Sequence, residues 1–206
     1  MTTQCDGCPA CDPLRAQLLE KDGEIARLTS LMRHDTLTGV LNRRSVAELV
    51  TEELQRSSRT GQPFCYAVIG IDGLGDVNSA FSNDTGDLVL QTIARESCLL
   101  LRTLDRFGRV ENDSFGIILP ATWLHQGVLA MNRLKAFIAG FDWNTVTPGR
   151  TVTFSTGLTT NAPAENAENM MARANKAMLE AKAGGGNNLV TLEQELDPML
   201  FAAMND

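Results

Sequence analysis

The chain has 206 residues, 43% of them apolar, and a formal net charge of −7, which is enough for one well-buried domain with a short appendage. The acidic balance argues against a nucleic-acid partner, because no basic stripe is present to neutralise phosphates. No apolar run is long enough to span a bilayer, and Met1-Thr2-Thr3-Gln4 lacks the basic-then-apolar start of a secretion signal, so a cytoplasmic location with reduced thiols is expected.

Residues 1–12 hold Cys5, Cys8 and Cys11 in a CxxCxxC cluster. That spacing suits zinc or an iron–sulfur cluster if Asp6, Asp12, His34 or a second subunit supplies the fourth ligand. The competing reading is a terminus with reactive thiols. Cys65 and Cys98 sit in apolar runs and read as small core residues. Residues 13–34 predict a helix, with Pro13 in its first turn. Leu14, Leu18, Lys21, Ile25, Leu28 and Met32 follow a 4-3-4-3-4 spacing, a seam of a and d positions. Such a seam pairs two subunits as a coiled coil, or else packs the helix on its own domain.

Asp35 or Thr38 is placed to begin a turn, and Asn42 to cap a helix that carries Val46, Leu49, Val50 and Leu54 on one face. Residues 57–63 are a loop around Gly61 and Pro63. Residues 64–71 are continuously apolar and predict a central strand. Residues 72–87 predict a short helix and a loop, and residues 88–104 an apolar helix. Two apolar arms, 106–110 and 115–119, flank Glu111-Asn112-Asp113-Ser114, a polar centre that reads as a hairpin turn because Asn and Asp tolerate positive φ. A helix follows with Leu124, Val128, Leu134, Phe137 and Ile138. Residues 151–155 predict a strand ending at Gly157. Ala167, Met170, Met171, Ala174, Ala177, Met178 and Ala181 mark a helix that stops at the glycines 184–186, before a last short strand, 189–191. The tail, 193–206, has one apolar patch, Met199-Leu200-Phe201, with no assigned element. The β-α-β-β-α-β order predicts an α+β fold, a mostly antiparallel sheet with helices on one face.

Two stretches bring a family into view. Asp35, Leu37, Thr38, Asn42, Arg43 and Arg44 match a D-x-L-T…N-R-R segment, and the hairpin stretch 109–120 has the position and flanks of a signature hairpin. On these residues the chain resembles the GGDEF domains, the diguanylate cyclases, over residues 34–191. The resemblance implies the nucleotidyl-cyclase-like fold and divides the chain into a Cys-rich segment (1–12), a stalk helix (13–34), a degenerate GGDEF domain (35–192) and a tail (193–206).

In that family a 3′-hydroxyl of GTP attacks an α-phosphate, pyrophosphate leaves, and cyclic di-GMP forms with the help of divalent ions held by carboxylates. The family's first metal carboxylate falls on Gly70 of Gly70-Ile71-Asp72, and the others on Asp113 and Ser114. Glu111 and Asn112 replace the two glycines that approach the triphosphate, and Glu111 repels phosphate. The resemblance therefore implies weak or absent Mg2+ and no useful cyclase activity, with residual turnover through Asp113 and Asp72 as the alternative. Asn78 and Asp87 match the family's guanine readers, and Lys182 its phosphate-binding lysine, although the following arginine is Gly186. The competing role for Asn78 and Asp87 is helix capping.

Arg102-Thr103-Leu104-Asp105 matches the family's RxxD inhibitory site, which binds cyclic di-GMP, and Arg133 falls at a secondary arginine position. The competing role for Arg102 and Asp105 is a salt bridge at a helix end. The expectation is a non-catalytic cyclic di-GMP-binding signalling protein, dimeric through its N-terminal helix, with GTP binding open and an unidentified protein partner. The third alternative is a dimeric scaffold that binds no nucleotide.

Overall fold

β1 (Cys65–Ile71) is buried along its whole length, as a strand without polar alternation must be, and it forms the centre of the sheet. The computed structural model describes residues 12–194, so Cys5, Cys8, Cys11 and the apolar patch at 199–201 lie outside the described residues. The other elements in chain order are α1 (Asp12–Arg33) and α2 (Arg43–Thr60) before β1, then α3 (Leu74–Ala80), α4 (Asn83–Leu100), β2 (Arg106–Arg109), β3 (Ser114–Leu119), α5 (Leu124–Ala139), β4 (Phe154–Thr160), α6 (Ala167–Ala183) and β5 (Leu189–Thr191). The five strands run in the order β2-β3-β1-β4-β5. β1 is antiparallel to both neighbours, β2 and β3 form the hairpin, and only the β4–β5 pair is parallel.

Helices cover both faces of this sheet, not one. Alternate residues of β1 point to opposite sides. Cys65, Ala67, Ile69 and Ile71 pack with Val89, Leu90 and Ile93 of α4 and with Met131, Leu134 and Ile138 of α5. Tyr66 and Val68 pack with Val46 and Val50 of α2 and with Met170, Ala174 and Met178 of α6. Every side chain of β1 is therefore apolar or small because each faces a helix layer. α6 comes closest to the sheet at Gly157, where an added Cβ would lie 2.0 Å from the Ala174 carbonyl oxygen and 2.2 Å from the Met178 nitrogen. Gly157 thus sits inside β4 as the seat of a helix and does not end a strand.

Local chemistry moves several predicted boundaries. The strand expected at 151–155 begins at Phe154, because pairing with β1 runs from Phe154 opposite Ile71 to Thr160 opposite Cys65. The helix expected at 88–104 begins at Asn83, where the Ser82 hydroxyl accepts from the Thr85 amide, and ends at Leu100. The caps of α3 and α4 are Gly73, Phe81, Ser82 and Leu101, so neither Asn78 nor Asp87 caps a helix. The Asn42 cap is present as expected, its side chain accepting from the Ser45 amide at 3.0 Å. Cys65 is buried and Cys98 is exposed, because the buried stripe of α4 runs through Val89, Ile93 and Ser97 and turns Cys98 away from the core. The hairpin turn needs no positive φ at Asn112 or Asp113. Four residues, 110–113, link the strands, and the amides of Val110 and Glu111 both reach the Ser114 carbonyl, so ordinary backbone closes it.

α1 covers 12–33, one residue off the predicted stalk at each end. On its seam Leu18 and Met32 are 62% and 65% exposed, so these positions do not pack on the domain. No helix among the described residues is long and apolar enough to cross a membrane.

Candidate functional site

The hairpin crest is placed by three ties. The Asp113 carbonyl accepts the Ile71 amide at 3.0 Å, linking the crest to the end of β1. Arg109 donates to the Asn112 carbonyl at 2.6 Å and to both carboxylate oxygens of Asp35, at 3.3 and 3.4 Å. Asp35 in turn accepts the amide and the hydroxyl of Thr38. The Asp35-to-Thr38 segment is thus a turn that anchors the arginine under the crest. Burial raises the Asp35 pKa, but the hydrogen bonds from Thr38 and the charge and hydrogen bond of Arg109 outweigh it, holding the carboxyl below its usual value. Sequence reasoning missed Arg109; its signal was an arginine at the last position of an arm, next to the crest.

At the crest, Asp113 is half-buried and Ser114 is buried directly opposite Gly70. Lys182, from the last turn of α6, donates to Asp113 Oδ2 at 2.7 Å. The same lysine lies over Gly70: an added Cβ there would meet Met178 Sδ at 2.5 Å, Lys182 Cε at 2.7 Å and Lys182 Nζ at 3.0 Å. The space for the family's first metal carboxylate is therefore filled by a thioether and a lysine chain. Asp72 is engaged elsewhere. Its Oδ1 accepts from the Ser155 hydroxyl at 2.7 Å, and its Oδ2 accepts from the Thr153 hydroxyl and the Asn187 amide, both at 2.8 Å. It clamps the end of β1 to the start of β4 and to the turn before β5.

These residues do not fit a magnesium pair. Magnesium takes hard oxygen ligands in near-octahedral array, with one or two carboxylates beside substrate phosphates. Here Asp113, the one carboxylate left at the family's metal positions, is spent on an ammonium, Ser114 contributes at most a neutral hydroxyl, and Asp72 is occupied. A divalent ion would also face Lys182. Like charges at 4 Å repel by about 4 kcal/mol per unit pair in partly solvated surroundings, and doubling the ion's charge doubles that. Glu111 is exposed on the crest, and its carboxylate lies 4.0 Å from the Arg43 guanidinium.

Asn78 lies on α3 and Asp87, exposed, on α4. The Asn78 Oδ1 atom is buried and has no hydrogen-bond partner, an unusual condition for an amide oxygen. It rests on Gly86, where a Cβ would come within 1.9 Å of it. The glycine therefore makes room for the amide.

The structure brings Arg102, Asp105 and Arg133 together. All three line one cavity of about 340 Å³ between the end of α4 and the side of α5, walled by Leu100, Leu119 and Leu129. Asp105 accepts the backbone amide of Arg102 at 2.8 Å, not its guanidinium, so in place of the competing role, a salt bridge at the helix end, the carboxylate closes a turn. Burial raises the Asp105 pKa, opposed by the Arg102 amide and by the charges of Arg102, Arg133 and Arg106. Arg106, unnoticed in the sequence, donates to the Thr103 and Asp105 carbonyls and braces the turn. The Arg102 side chain is left exposed at the mouth. A half-buried carboxylate among arginines can pair with a base edge and a phosphate together.

A family model described as "Diguanylate cyclase, GGDEF domain" matches residues 32–188. Diguanylate cyclase DgcP of Pseudomonas aeruginosa is 34% identical over 155 residues, 75% of this chain, and the chain spans only 23% of that relative's length. Diguanylate cyclase SiaD of the same species, solved in complex with its activator SiaC, superposes with a TM-score of 0.75 at 32% identity, over 89% of this chain and 70% of that one. A microbial GGDEF domain solved with cyclic di-GMP superposes with a TM-score of 0.70 at 26% identity, over 80% of this chain and 99% of that one.

Proposed function

The chain belongs to the diguanylate cyclase GGDEF family, and from that premise we propose that it is a cytoplasmic cyclic di-GMP receptor that has lost the cyclase reaction. The observation that carries the proposal is the convergence of Arg102, Asp105 and Arg133 on one cavity. An RxxD pair alone is a common pattern; an arginine from a different helix, α5, lining the same cavity is not required by the fold. Cyclic di-GMP presents guanine edges and phosphates, the groups that a guanidinium fork and a carboxylate read. A solved relative binds this ligand. Support for loss of the cyclase reaction comes from the crest: with Gly70 and Ser114 at two of the family's carboxylate positions and Asp72 engaged, Asp113 is the one acidic residue left at those positions, and Lys182 holds it.

The exposed Leu18 and Met32 supply the second half of the reading. Two copies of α1 pair through this seam, and the paired domains present the bound ligand to a protein partner. SiaD is solved with an activator protein, which supports a protein partner for this chain as well.

Calorimetric titration of the full chain with cyclic di-GMP tests the receptor. Wild type binds. Arg102→Ala, which removes one or two charge-assisted hydrogen bonds of about 1.5–3 kcal/mol each, binds at least roughly tenfold more weakly. A flat wild-type titration overturns the receptor reading. Incubation with GTP and magnesium, assayed for pyrophosphate, tests the lost reaction, and sustained turnover would overturn that half alone.

A further inference from the structure

At the start of β1, the end of the sheet away from the crest, lies a groove of about 1090 Å³. The last turn of α2, the start of α5 and the segment 161–165 after β4 form its walls. We propose that the chain's own C-terminal segment fills this groove, with Met199, Leu200 and Phe201 seated against Trp123. The proposal rests on neither cyclic di-GMP binding nor the state of the crest.

β5 is parallel to β4, and β4 runs from Phe154, opposite Ile71, to Thr160, opposite Cys65. β5 therefore heads away from the crest and toward the groove. The Leu192 amide donates to the Leu158 carbonyl at 3.0 Å, which extends this ladder one residue beyond β5, and Glu193 then lines the groove. Met199 follows six residues later. An extended chain covers about 3.3–3.6 Å per residue, so the apolar patch reaches roughly 20 Å from Glu193, farther than a cavity of this volume is wide.

The lining matches the tail in chemistry. Trp123 is 59% exposed at the groove, beside half-buried Leu54, Pro63 and Leu124. An aromatic side chain left bare in a concave apolar wall marks a docking place. The polar groups along the groove are engaged within the domain. The Asn161 amide accepts from the Phe64 amide and donates to the Ser57 hydroxyl, both at 2.9 Å, Ser57 donates to the Gln62 carbonyl, and Glu165 is held by Arg173. Glu53 is taken by Arg56, and Arg59, exposed in the last turn of α2, makes no ion pair among the described residues. The groove thus offers apolar surface and a cation at its rim, with little to orient a polar small molecule. An apolar patch with acidic flanks fits it. The tail has that composition: Glu195 and Asp197 precede Met199-Leu200-Phe201, and Asp206 follows. A short tether also supplies an effective concentration of about 1 mM, so a segment whose free peptide bound at about 0.1 mM would be docked by about ten to one.

Acrylamide quenching of tryptophan fluorescence in the full chain tests the idea. The chain has two tryptophans, and Trp143 is only 3% exposed, so quenching reports Trp123. In wild type, Trp123 should quench several-fold more slowly than in the triple variant Met199→Ser, Leu200→Ser, Phe201→Ser, and emit at shorter wavelength. Trp143 should stay unquenched in both, which shows that the domain remains folded. Arg59→Glu should fall between the two. A synthetic peptide of residues 193–206, added to the triple variant at millimolar concentration, should slow quenching again and saturate. Wild-type protection should be unchanged on dilution. Equal quenching in wild type and triple variant, or a peptide without effect, would overturn the proposal. Protection that fades on dilution would overturn it as well, assigning the groove to the tail of a second copy.

Discussion

Two glycine-to-alanine substitutions should have opposite outcomes, and the structure says why. In Gly157→Ala the new methyl would lie 2.0 Å from the Ala174 oxygen, 2.2 Å from the Met178 nitrogen and 2.8 Å from the Ala177 carbonyl carbon. All three atoms are helix backbone, so nothing can rotate aside; α6 must lift from β4 or bend. Overpacking costs typically 1–3 kcal/mol, and a clash with backbone belongs at the upper end, about 3 kcal/mol. For a chain of this size that lowers the melting temperature by roughly 6–12 °C. In Gly86→Ala the methyl meets Asn78 Oδ1 at 1.9 Å, the tip of a side chain that has no hydrogen bond to lose. The amide swings away, and alanine gains about 1 kcal/mol over glycine inside α4. The net melting change should stay within about 4 °C. Calorimetric melts of both variants check the pair. If Gly157→Ala melted within about 2 °C of wild type, α6 could not be seated on the sheet as described.

Two other expectations are as direct. Asp35 has its pKa lowered by Thr38 and Arg109 despite burial, so it contributes stability above its unfolded value of about 3.9 and loses it as pH falls through the lower folded value. Denaturant midpoints of wild type and Asp35→Asn should differ by about 1–2 kcal/mol at neutral pH and converge in acid; a gap that persists or widens there would refute the assignment. Leu18→Glu places a charge on the exposed seam of α1, and sedimentation velocity should find wild type dimeric and the variant monomeric; a monomeric wild type would remove the pairing reading.

Much of this protein was legible in the order of its residues. The unbroken apolar run ending at Ile71 reads as a central strand because it lacks polar alternation, and it is the middle strand of the sheet. The cap at Asn42 and the stop at the glycines after Ala183 depend on local chemistry alone, and they stand where expected. The loss of acidic groups at positions 70 and 114 is likewise a property of the sequence. Boundaries set by pairing or by an unforeseen cap were not legible. β4 starts at Phe154 because the register with β1 decides which residues bond, and α4 starts at Asn83 because Ser82 caps it. The second helix layer was hidden for the same reason: nothing local says to which face of the sheet a helix returns.

The sequence by itself determined which groups exist at the crest and which are gone. Only the tertiary structure decided how the survivors are spent. Asp72 became a clamp on Thr153 and Ser155, Lys182 took the space over Gly70 and the Asp113 carboxylate, and Arg133 of α5 came to line the same cavity as Asp105. Side-chain type is inherited position by position, whereas a partner is won by whichever donor the packing of other elements brings within three ångströms.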